Sequence, residues 1–120
     1  MPDHAIVLFA HGSRDPLWHQ PMEAVADRIR TREAGITVAC AYLELSPPDL
    51  PGCVAGLVAA GTLSIRVVPM FLGVGRHAQE DLPQIMATLR TTYPAVAFEL
   101  LPAVGEDPRL IETLAHIAIS

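Results

Sequence analysis

Apolar and polar positions alternate along this chain in blocks that change period from strand-like to helix-like four times. His4–Ala10, HAIVLFA, is a continuous apolar run and reads as a central strand buried on both faces. His11–Pro16, HGSRDP, is a turn by composition. Met22, Val25, Ala26 and Ile29 then recur with helical spacing, and Glu23, Asp27, Arg28, Arg30 and Arg32 cover the other face. Pro21 suits only a first helical turn, so the regular helix is expected to begin near it, with Pro16–Gln20 as a looser lead-in. Ile36–Leu43, ITVACAYL, reads as strand two and leads into Glu44, Leu45 and a turn at Ser46–Pro48. Asp49 can cap a second helix that runs through Leu50, Val54, Leu57 and Val58 and stops at Gly61.

Leu63–Leu72 reads as strand three and His77–Thr92 as helix three, with Leu82, Ile85, Met86 and Leu89 on one face. Ala95–Leu101 reads as strand four, and the alternation of Phe98 and Leu100 with Glu99 marks it as a half-exposed edge. Pro102–Pro108 is a loop, and Pro108–Ile119 is an amphipathic helix built on Leu110, Ile111, Leu114 and Ile117. Strand followed by helix, four times over, implies an α/β three-layer sandwich. A small four-stranded parallel sheet carries helices on both faces, in a flavodoxin-like arrangement with right-handed crossovers. Residues 1–120 read as a single domain, without linker, repeat or low-complexity segment.

Composition narrows the function classes. The chain is 51% hydrophobic, enough for a buried core and far from a disordered composition. No apolar run approaches the ~18–20 residues that span a bilayer, so no membrane partner is expected. The opening residues MPDHAIVLFAHG lack a basic leader and a cleavage site, so the expected location is cytoplasmic. The net charge is −5, and all eight basic residues are Arg, with no basic run; no nucleic-acid footprint exists. An anionic substrate would therefore be held by local Arg side chains or helix N-termini rather than by the overall field. Cys40 and Cys53 lack metal or redox spacing and read as buried thiols. An apolar surface left on so small a unit would favour a second copy.

The candidate chemistry gathers at strand ends. In open parallel α/β sheets ligands bind at the carboxyl ends of the strands. Strand one ends in His11, strand two in Glu44, and strand three, after the turn at Gly73 and Gly75, in Arg76 and His77. Two imidazoles and one carboxylate suit a divalent first-row metal and leave coordination positions open. Imidazole also accepts a proton near neutral pH. Each residue has a plainer reading. His11 alone would be a surface loop histidine, and it gains weight from its partner at the same rim. Glu44 serves equally as an acid stabilised by the second helix dipole. His77 fits the start of a helix with no ligand. Arg14 and Arg76 could clamp carboxylates by forked hydrogen bonds, and taken singly each reads as an ordinary solvated Arg. Backbone N–H groups over Gly73–Arg76 could hold a further carboxylate. His4, His19 and His116 read as structural or solvated. GVGRHA formally fits the dinucleotide fingerprint, but it follows the third strand and no suitable acid lies downstream. HGS is not a nucleophile elbow, so Ser13 is a weak nucleophile candidate.

Taken together, HGSRDP, YLELSPPDL and VVPMFLGVGRHAQEDLP closely resemble the small sirohydrochlorin chelatases of the CbiX type, over nearly the whole chain from Ile6 onward. The resemblance implies a chelatase-like fold and the insertion of a divalent metal into sirohydrochlorin, with loss of two pyrrole protons. The expected metal is cobalt first, then iron, with nickel known in related enzymes, on the way to cobalamin or siroheme. It implies no organic cofactor and a homodimer with the tetrapyrrole in a cleft. By the same resemblance His11 and His77 match metal-binding histidines, and His11 also matches a proton acceptor. Glu44 matches the acid facing the metal. Phe71, Leu72, Gly73, Val74, Gly75 and Arg76 match the segment that lines the substrate, and Arg14 is a further substrate-binding candidate. Two other readings use the same residues differently: a non-catalytic carrier of metal or tetrapyrrole, and a flavodoxin-like module that binds flavin or phosphate.

Overall fold

A computed structural model describes residues 3–120, and of His77 only its place in a helix. The strands are β1 (His4–Ala10), β2 (Thr37–Tyr42), β3 (Ser64–Pro69) and β4 (Ala97–Leu100). The helices are α1 (Gln20–Arg32), α2 (Leu50–Ala59), α3 (Arg76–Thr92) and α4 (Pro108–Ile119), with short 3-10 turns at Pro16–His19 and Val104–Glu106. The sheet is parallel throughout, in the order β2-β1-β3-β4. β1 is central, as its unbroken apolar run requires, and β4 is an edge. Register is fixed by pairings such as Ala10 with Tyr42 and Phe9 with Pro69, which bring three strand ends to one rim.

Side chains alternate between two cores, as strand geometry demands. Ala5, Val7, Phe9, Ile65 and Val67 face α2 and α3, where they meet Leu50, Val54, Leu82 and Met86. Leu8, Ala10, Val38 and Tyr42 face the other way and meet Met22 and Ala26 of α1. The helix ends follow from local chemistry. Asp49 accepts the Gly52 N–H at 2.8 Å and caps α2, Asp107 accepts the Arg109 N–H at 2.8 Å and caps α4, and Gly61 leaves α2 at φ +96°.

The strands are shorter than the apolar runs suggested, although ladder bonds continue past their ends. The Leu63 N–H donates to the Asp3 carbonyl at 2.8 Å and the Leu101 N–H to the Val67 carbonyl at 3.0 Å. Two expectations are corrected. Val25 stands on the solvent side of α1, because only Met22 and Ala26 reach the sheet. The apolar stripe of α4 is not buried: no α4 residue is, and among the described residues this helix packs substantially only on the 3-10 turn before it. One sheet face is thus covered by α2 and α3, and the opposite face by α1 alone. Among the described residues no helix is long and apolar enough to cross a membrane.

Candidate functional site

The sheet reverses direction between β1 and β3, and such a switch point leaves a crevice beyond the strand ends. His11 leaves β1 there, and the Met70–Gly75 segment leaves β3. Backbone bonds extend the sheet one step past its strands: the Met70 N–H donates to the Phe9 carbonyl at 2.7 Å, the Leu43 N–H to the Ala10 carbonyl at 2.8 Å, and the Glu44 N–H to the His11 carbonyl at 3.0 Å. His11 and Glu44 are therefore joined through the backbone. Gly12 allows this approach. It sits at φ +94°, and a Cβ there would lie 2.0 Å from the Glu44 carbonyl oxygen.

The His11 side chain is exposed and leans on Phe71, with ring centroids 4.6 Å apart and planes tilted by 53°. Phe71 is buried and meets Phe9 edge-on at 5.9 Å. It therefore supports the imidazole from below, while Leu72, Gly73, Gly75 and Arg76 face solvent and Val74 is half-buried. α3 starts at Arg76, with Gly75 as an N-cap that offers no side-chain acceptor, so first-turn N–H groups remain open to an anion. Arg14 and Arg76 are exposed, and among the described residues neither makes an ion pair, whereas Arg30, Arg66 and Arg109 do. A recess of about 540 Å³ opens beside the β2 exit, lined among others by Tyr42, Glu44, Leu45 and Ser46. A recess of similar size lies along α3 between Asp81 and Tyr93, away from the rim, so size alone does not select the site.

Ser46 and His19 complete the rim, and neither stood out in the sequence. The Ser46 hydroxyl is buried and donates to the Ser13 carbonyl. With its one proton so used, it accepts from the Ser13 N–H and from His19 Nε2–H, both at 3.0 Å, which assigns the His19 tautomer. His19 also stacks on Tyr42 at 4.6 Å. These contacts tie the loop after β1 to the loop after β2, and so hold His11 and Glu44 in register. A signal did exist in the two serines that follow the candidate ligands, in HGS and in ELS. Leu45 is a second surprise: it holds φ at 67°, a left-handed conformation rare for a branched residue, and is largely exposed beside Glu44.

Among the described residues no three His, Cys, Asp or Glu side chains stand close enough to hold a metal ion. His11 and Glu44 are brought together at the backbone. His77 is the second residue of α3, just past the β3 exit, and its side chain lies outside the described residues. Cys40 and Cys53 are free, and both sit away from this rim chemistry. Burial, with help from Glu23, pushes the Cys40 thiol up to about 12, and burial raises Cys53 as well. Neither supplies a thiolate near neutral pH.

Comparison with known proteins comes to the same family from three directions. The CbiX family model matches residues 5–118. A sirohydrochlorin cobaltochelatase from Methanococcus aeolicus is 33% identical over 85 residues, which cover 71% of this chain and 59% of that protein. The chain thus spans about three fifths of the length of the curated relatives it first matches. A putative cobalamin biosynthesis CbiX protein from Marinobacter aquaeolei superposes with a TM-score of 0.81 at 32% identity, covering 96% of this chain and 93% of that one. The sirohydrochlorin chelatase SirB of Bacillus subtilis, solved in complex with cobalt, superposes at 0.78 with 26% identity over 97% of this chain and 49% of its own.

Proposed function

The chain belongs to the CbiX family, and from that premise we propose that it inserts a divalent metal ion into sirohydrochlorin. Cobalt is the first candidate and iron the second, after the cobaltochelatase and ferrochelatase names of its relatives. The product would be a cobalt or iron tetrapyrrole on the way to cobalamin or siroheme, made in the cytoplasm without an organic cofactor.

The observation that carries this reading is the joining of His11 and Glu44 at the switch point, beside Phe71 and the β3 exit. Metal insertion exchanges one divalent ion for two pyrrole protons. It needs ligands that hold the ion until the ring takes it, and a base that accepts protons near neutral pH. Neutral imidazole does both, and one carboxylate lowers the charge cost of bringing the ion near the ring. In this proposal His11 and His77 hold the ion and take the protons, and Glu44 assists from the adjoining strand exit. Phe71 keeps the His11 ring in place. Leu72–Gly75 offers backbone and an apolar side chain to the flat macrocycle. Arg14, Arg76 and the open N–H groups of α3 engage its peripheral carboxylates, a task the net charge of −5 leaves to local groups.

The test is substitution at the imidazoles. His11→Ala and His77→Ala should each abolish catalysed insertion. For His11→Ala the melting temperature should stay near wild type, because that side chain is exposed. Wild-type insertion rates in both folded variants would refute the assignment.

A further inference from the structure

Helix α4 has an apolar stripe and nothing to bury it against. Ile111 is 54% exposed, Ile117 65% and Leu114 39%, on a helix that is otherwise polar. The molecule is drawn out accordingly. Its longest axis is 46 Å and its radius of gyration 14.6 Å, against ~13.6 Å for a compact chain of this length.

The same chain also has a sheet face with no helix on it. On the α1 side, α1 packs over β1 and β2 only. Across β3 and β4 that face presents half-buried Val68 and Leu101, with Arg66 and Glu99 paired at 2.6 Å. A recess of about 490 Å³ runs from Val68 and Leu101 to the base of α4. Parallel sheets are ordinarily covered on both faces. The dimensions agree: α4, at 12 residues, is about 18 Å long, and β3, at six, is about 20 Å.

A chain cannot readily seat its own α4 there, because the base of that helix is fixed. The Gly105 N–H donates to the Phe71 carbonyl at 2.9 Å, and a Cβ on Gly105 would fall 1.8 Å from the Leu72 carbonyl oxygen. Asp107 then caps α4 through the Arg109 N–H and pairs with its guanidinium at 2.6 Å. Pro102 and Pro108 stiffen both ends of the connection. Each copy therefore carries one helix without a seat and one seat without a helix.

We propose that two copies of this chain exchange α4 reciprocally, each laying Ile111, Leu114 and Ile117 over the β3–β4 face of its partner about a two-fold axis. Such an interface is self-complementary and closed. It is independent of the reaction proposed above. It also begins at the Leu72 segment, so exchange would brace the site of each copy.

Light scattering on the full chain at tens of micromolar should give twice the chain mass of 12.9 kDa. The double variant Ile111→Glu, Leu114→Glu changes exposed positions only and should give a folded monomer by circular dichroism. A chain carrying both Val68→Cys and Leu114→Cys should, on mild oxidation, form a covalent dimer on a denaturing gel, and Leu114→Cys alone should give only the wild-type background. A monomeric wild type overturns the proposal, as does a double Glu variant that stays dimeric. A disulfide closed within one chain would mean that α4 folds back on its own sheet. Equal cross-linking by Leu114→Cys alone would mean that the two α4 helices merely pair. Either result refutes exchange.

Discussion

Replacing Gly12 by Ala should unsettle the fold and the site together. Gly12 holds φ +94°, and the added methyl carbon would lie 2.0 Å from the Glu44 carbonyl oxygen. Holding a side-chain-bearing residue in the left-handed region costs about 1–2 kcal/mol. An ordinary carbon–oxygen contact is about 3.3 Å, so the Glu44 carbonyl must retreat by about 1 Å. That movement weakens the Glu44 N–H to His11 carbonyl bond, which contributes roughly 0.5–1.5 kcal/mol. Lower entropy of the unfolded Ala chain adds to the stability by about 0.4–1 kcal/mol. The net destabilisation is about 2 kcal/mol. Unfolding entropy near 2.1 cal/mol/K per residue converts each kcal/mol to about 4 °C for a chain of 120 residues. Gly12→Ala should therefore melt about 8 °C below wild type by circular dichroism or calorimetry, and its metal insertion should slow because Glu44 has moved from His11. Gly73→Ala is the control, since Gly73 has no positive φ and open space around it; it should melt within about 2 °C of wild type. Equal melting temperatures for Gly12→Ala and wild type would refute the close approach of the two strand exits.

Ser46→Ala should cost about 1–3 kcal/mol, because one buried hydroxyl serves three partners across two loops; a melting temperature unchanged from wild type would contradict that network. Alkaline pH should destabilise the fold: burial raises Cys40 from 9.0 to about 12 and Tyr42 from 10.0 to about 12. The folded chain keeps these protons while the unfolded chain releases them, so stability is full below about pH 9 and falls as pH climbs toward 12. The chain has no lysine to titrate in that window, and a flat melting profile from pH 9 to 11 would refute the shifts.

Much of this architecture could be read from local chemistry, because the elements announce themselves locally. The run HAIVLFA matches β1 at both ends, Asp49 and Asp107 mark the first turns of α2 and α4, and the Pro16–Gln20 lead-in is a 3-10 turn that passes into α1 at Gln20. Helical spacing placed Leu82, Met86 and Leu89 in the core correctly. The same spacing misled at Val25 and along α4, since periodicity says which residues share a face and not what that face meets. At the site, the strand-end rule brought His11, Glu44 and the β3 exit to one rim. It could not show that Phe71 lies under the imidazole rather than open to a substrate. Nor could it show that His19 and Ser46, 27 residues apart, share a hydrogen bond. Such a pairing depends on where two loops land, and neither residue type is unusual in a turn.

The most direct test of the proposed activity is an anaerobic absorbance assay. Purified chain is mixed with sirohydrochlorin and, separately, cobalt(II), iron(II) or nickel(II), against enzyme-free controls at each metal concentration. Acceleration over the control, greatest with cobalt or iron, is the predicted result. A spectral shift on ring binding with no acceleration by any metal would make the chain a carrier and contradict the proposed catalysis.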